Sequence, residues 1–234
     1  MYSKSVPIAM ALLLAGCTSW TMKDSGQPEV NVAFVLQRNL VYLPSLTVDG
    51  RAGRFFLGAA ASRSVIDPRF LKLLPAQRHE LELTARASLP LSPVSIDLGT
   101  TGDAMIGADA WDAHAVTIDY RAGLLTYQRR GIQPGLMTVS RFTAEPTIDV
   151  RVNGATVQAI VDTALPDTLV LPGTGGRGTA QVAIAGTDFG PTDVSYRAVA
   201  APRVGNRLLS RFLITIDYGR HEVGLWRDPR IPLR

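Results

Sequence analysis

Apolar and polar positions alternate with a period of two along most of this chain, in short runs punctuated by Gly, Asn and Asp. Leu46-Thr-Val-Asp-Gly50 followed by Arg54-Phe-Phe-Leu57 reads as a strand, a tight turn and a return strand. Val150-Arg-Val-Asn-Gly154 followed by Gln158-Ala-Ile-Val161 reads the same way. Residues 117–120 and 124–127 form a third hairpin, turning at Arg121-Ala-Gly123, and residues 215–218 open a fourth, turning near Gly219. Helical patterning is brief, at residues 67–74, 109–113 and 207–212. The pattern predicts a mostly β protein with few short helices.

Self-comparison adds an internal duplication. Gly50 and Gly154 are 104 residues apart, and so are Gly58 and Asp162, which follow them at the same spacing. Gly107 and Gly205 are 98 apart, as are the segments ending in Ile-Asp-Tyr at Tyr120 and Tyr218. Two lobes are therefore expected, 37–132 and 133–234, related by a pseudo-twofold and joined by a linker over 128–142. Residues 182–198, turning near Gly186 and at Gly190-Pro191, and residues 81–96 would be matched flap hairpins or ordinary surface hairpins. Asp119 and Asp217 recur at matched positions, which predicts a shared strand-end or turn role. Trp111 and Trp226 are expected as core or lobe-interface anchors.

The N-terminus reads as an address. Lys4 precedes an apolar run over 6–15, too short to span a bilayer, and Leu14-Ala15-Gly16-Cys17 resembles a bacterial lipobox. That resemblance implies a signal peptide at 1–16, lipid attachment at Cys17 and a tether over 17–36. Thr18 stands where an inner-membrane retention signal would have Asp, which implies a periplasmic protein anchored to the outer membrane.

Composition narrows the chemistry. With 46% hydrophobic and 19% charged residues, the 234-residue chain is not disordered. One Cys excludes a disulfide framework and a Cys-based zinc site, and three His lie far apart, so no metal is expected. The net charge of +4, or +3 once Lys4 leaves with the signal peptide, is carried by scattered Arg, and no nucleic-acid partner is expected. Gly173 to Gly178 matches a dinucleotide-binding string, but a strand pattern follows where that motif needs a helix, so a loop is expected and no cofactor. No nucleophile elbow is present.

The second lobe, with Ile160-Val-Asp162-Thr163-Ala164 and later Arg203-Val-Gly205, resembles the aspartic peptidases of the pepsin and retropepsin type. The resemblance covers most of residues 41–226. It implies a duplicated β-barrel fold in which each lobe delivers an Asp-Thr-Gly loop to a cleft, beside an apolar-apolar-Gly segment. Here those segments are Met105-Ile-Gly107 and Arg203-Val-Gly205. Hydrolysis in that family needs two carboxyls sharing a proton. The first lobe departs from it. Gly58-Ala59-Ala60, followed by Ser62, stands where Asp-Thr-Gly is required, and in the second lobe Ala164 replaces Gly, where its methyl is expected to crowd the turn. Asp162 is left as the lone catalytic candidate. It reads either as a surviving acid, alone or paired across a homodimer, or as an inherited loop carboxylate bonded to backbone amides. Three functions follow: a catalytically inactive monomer binding a peptide or protein, an acid endopeptidase working as a homodimer, or an envelope scaffold with a vestigial cleft.

Overall fold

The computed structural model describes residues 29–74, 79–111, 114–128 and 131–232. The signal-peptide expectation and Cys17 lie outside these residues. Strands make up 51% of the described residues and helix 6%, so the chain is mostly β. Asp49-Gly50 and Asn153-Gly154 turn with positive φ at all four residues, as the two-residue hairpins require. Each turn is then pinned by its own side chain: Asp49 accepts from the Glu80 N–H and Asn153 from the Gln181 N–H.

The two halves share one six-stranded antiparallel sheet. Its order is Val30–Ala33, Leu124–Gln128, Ala115–Asp119, Leu213–Asp217, Glu222–Trp226 and Thr138–Arg141. At its centre Thr117 pairs with Thr215, and their hydroxyls are 2.8 Å apart in the buried interior. That pairing of residues 98 apart puts a local twofold axis through the sheet. The outer strands correct two expectations. The tether was expected to run to residue 36, but Val30–Ala33 pairs with Leu124–Tyr127 and places Val32 in the core. The expected linker contains Thr138–Arg141, which pairs with Glu222–Leu225. Each of these outer strands lies against the terminal hairpin of its own half, so the repeat begins earlier than its motifs suggest.

Away from this sheet the same connections occur twice. Ala104–Ile106 runs parallel to Phe55–Leu57 and antiparallel to Val65–Ile66. Arg203–Val204 runs parallel to Ile160–Val161 and antiparallel to Leu169–Val170. The halves differ in closure. In the second, six strands close a barrel; in the first, the strands divide into a six-stranded and a four-stranded sheet. The barrel expected of both halves is thus complete only in one. The helices are shorter than the patterning predicts: Pro68–Leu71, capped by Asp67, a 3-10 turn at Ala108–Trp111, and Asn206–Leu209. One apolar cluster runs through both halves and includes Leu43, Leu57, Trp111, Ile118, Val161 and Ile214. Trp111 is fully buried, but Trp226 is 39% exposed and anchors nothing in the core. Asp119 and Asp217 cap their turns, accepting from Arg121 and Arg220 N–H groups.

Candidate functional site

The two loops at Gly58 and Asp162 are built from the same backbone hydrogen bonds. Gly58 N–H donates to Ile106 at 2.9 Å, and Asp162 N–H to Val204 at 2.9 Å. Ala61 closes a turn onto Gly58 and Leu165 closes one onto Asp162. Ala108 then donates to Ala61, as Asn206 does to Leu165. The loops meet at the junction of the halves. Buried Thr163 accepts from the Ala59 N–H at 2.8 Å and donates to the Leu57 carbonyl at 2.9 Å. Ala59, the residue matching Thr163, has no hydroxyl to return the contact, so the clasp is one-sided.

Two tyrosines at matched positions reinforce it. Tyr218 donates to the Ala59 carbonyl at 3.0 Å. Tyr120 donates to Asn206, and the Asn206 amide donates to the Thr163 and Asn39 carbonyls, each at 2.6 Å. Loss of solvent around the two phenols pushes both pKa values up, so they stay protonated donors at any physiological pH.

The side chains at the centre differ between halves. A Cβ on Gly58 would lie 2.6 Å from the Met105 Cγ and Sδ, so Met105 fills the space a side chain there would take. Met105 and Ala164 pack on Leu40, Tyr42 and Phe56 in a small apolar cluster. Asp162 keeps its carboxylate at 13% side-chain exposure. One oxygen accepts from the Ala164 N–H at 3.0 Å and the other from Arg203 Nη1 at 2.8 Å. The other carboxylate in this network, Glu145, lies 3.5 Å from Arg203 Nη2, with the guanidinium between it and Asp162. Arg203 is the counterpart of Met105, 98 residues on. The Gly–Met pair of one loop thus corresponds to the Asp–Arg pair of the other.

Of the residues anticipated here, Gly58, Ala59, Ala60, Asp162, Thr163 and Ala164 gather at this junction, while Ser62 is exposed beside it. The crowding expected at Ala164 does not arise: its φ is outside the left-handed region, and its methyl packs in the apolar cluster. Arg203, Asn206 and the two tyrosines complete the site. Their signal in the sequence was the repeated Ile-Asp-Tyr and a charged residue within an otherwise apolar segment. Of the Gly173–Gly178 string only residues 173–176 form a loop, joining strands Leu169–Pro172 and Arg177–Ile184, while Arg177 and Gly178 already belong to the second strand. No group of His, Cys, Asp and Glu suited to a metal ion occurs among the described residues.

This arrangement can hold two halves in register and neutralise one half-buried acid. Among the described residues, Asp162 is bonded to the Ala164 N–H and Arg203, and no second carboxyl is bonded to it. No family model matches the chain, and no curated protein is similar to it.

Proposed function

We propose that this chain is a two-lobed protein of the aspartic-peptidase type, of pepsin and retropepsin kind, that has lost hydrolysis and binds a peptide or protein partner. In this reading it is held on the periplasmic side of a bacterial membrane through a lipidated Cys17. The observation that carries the reading is the pair of matched loops. The acid's counterpart is Gly58, covered by Met105, and the surviving acid, Asp162, is bonded to Arg203. A carboxyl pair works because one member gives a proton while the other takes one. A guanidinium stays charged and returns no proton.

A homodimer joining two Asp162 residues is less well supported. The second half would have to leave Leu57 and Ala59, to which Thr163 is bonded, and would bring Arg203 with it. The scaffold reading has one observation in its favour: the apolar packing of Met105 and Ala164 on Phe56 occupies the junction itself.

The test is hydrolysis of an unfolded protein substrate by the full chain between pH 3 and 7. No cleavage is expected, and none from Asp162→Asn. Turnover that vanishes in Asp162→Asn would overturn the proposal. Binding of extended peptides that Met105→Glu abolishes places the partner at the junction. Binding lost only on changes to the outer face, such as Trp226→Ala, assigns it to the scaffold reading.

A further inference from the structure

The second half carries a cavity unrelated to the Asp162 loop. It is about 410 Å³ in volume and lies beside the Asn206–Leu209 helix. Arg207 within the helix and Arg211 in the turn that follows it both line the cavity. Neither guanidinium has a carboxylate partner among the described residues. The lining also offers the Ser210 hydroxyl, while the Thr168 and Thr192 hydroxyls donate to the Asp193 and Gly190 carbonyls, and it contains no acid. Nearby Asp167 is taken by Arg197 at 2.7 Å. Asp193 follows Thr192 along a strand and so points to the opposite face.

Two features show that this cavity is shaped rather than incidental. The hairpin of Arg177–Ile184 and Thr187–Arg197 turns at Ala185-Gly186, and Gly190, expected as a turn, instead forms a bulge. Val182 pairs with Gly190 and Ala183 with Asp188, leaving Phe189 unpaired. A bulge redirects the side chain of its extra residue. Here Phe189 packs on Phe212 and, with Leu208, forms the apolar part of the lining. On the other side, Asn39 comes from the first half, and its carbonyl is fixed by buried Asn206.

We infer that this cavity binds a phosphate-bearing ligand. Two unpaired guanidiniums and the Ser210 hydroxyl supply more donors, from more directions, than one planar carboxylate accepts, and they suit a tetrahedral oxyanion. The volume exceeds the need of a bare phosphate, and Phe189 gives the attached group an apolar wall. The inference stands independently of the proposed function.

The test uses the full chain in detergent with four probes: inorganic phosphate, phenyl phosphate, benzoate, and phosphatidylglycerol vesicles beside neutral phosphatidylcholine ones. Saturable one-to-one binding of phenyl phosphate, tighter than phosphate and benzoate, is expected. Arg207→Gln with Arg211→Gln should weaken it at least about tenfold, as loss of charge-assisted bonds implies. Arg86→Gln with Arg151→Gln, which removes equal charge from exposed positions elsewhere, should leave it unchanged. Arginine-dependent binding to phosphatidylglycerol alone also supports the site and identifies the source as a lipid headgroup. Benzoate binding as well as phenyl phosphate, equal loss in the control pair, or no binding of any probe at about 10 mM overturns the inference.

Discussion

Met105 and Arg203 occupy equivalent positions, and each is matched to the residue across from it. Met105 covers a glycine, and Arg203 neutralises an aspartate whose side chain is largely withdrawn from water. Removing one member of such a pair leaves the other badly placed, whereas exchanging both need not. Arg203→Met alone should therefore lower stability by about 1–2 kcal/mol. The double change Asp162→Gly with Arg203→Met, which copies the first loop, should regain part of that loss. Denaturant unfolding of the cycle measures the coupling, and simple additivity would refute it. That Gly58 answers to Asp162 was legible because the duplication supplied a register. The pairing of Asp162 with Arg203 was not, because that contact joins residues 41 apart and no local pattern marks it.

At the level of strands and loops, legibility followed backbone demand. Asp-Gly and Asn-Gly turns announce themselves because few other residues accept two successive positive φ values. Val30–Ala33 escaped because an alternating run beside a polar leader has no turn of its own to define it. Gly190 was misread because bulges and turns both recruit positive-φ glycine. The direct contact between the two loops rests on the Thr163 hydroxyl, and this permits a sharp expectation. Thr163→Val keeps the shape but strands the Ala59 N–H and the Leu57 carbonyl, both served by Thr163 in the buried junction. It should cost about 2–4 kcal/mol, with Thr163→Ser costing clearly less. Equal effects of the two changes, measured by denaturant unfolding, would show that packing rather than hydrogen bonding governs the junction.

Across the whole molecule, a shared sheet and a continuous apolar core predict a single cooperative unfolding transition whose position depends on pH. Asp67 and Asp228 are held below the usual carboxylate range, first by the guanidiniums of Arg69 and Arg230, and Asp228 lies at about 2. Depressed values stabilise the fold above the unfolded carboxylate pKa of about 4, and that contribution disappears as pH falls through the folded values. Asp217, raised by burial, acts with the opposite sign, so its effect favours the fold in acid. The two depressed groups protonate in the window below the unfolded value, so the melting temperature should fall between pH 4 and 2. Asp228→Asn should make that fall shallower; an unchanged slope would exclude this ion pair as a cause. The one-sided clasp has a further consequence. The first loop is gripped only through main-chain atoms, Leu57 O together with Ala59 N and O, so the clasp itself sets no demand on its side chains, and only the packing around them does. The second loop grips through a side chain, and there one point substitution can undo the clasp. Descendants of this sequence should accumulate changes unevenly, with novelty gathering on the side that is held and constancy on the side that holds.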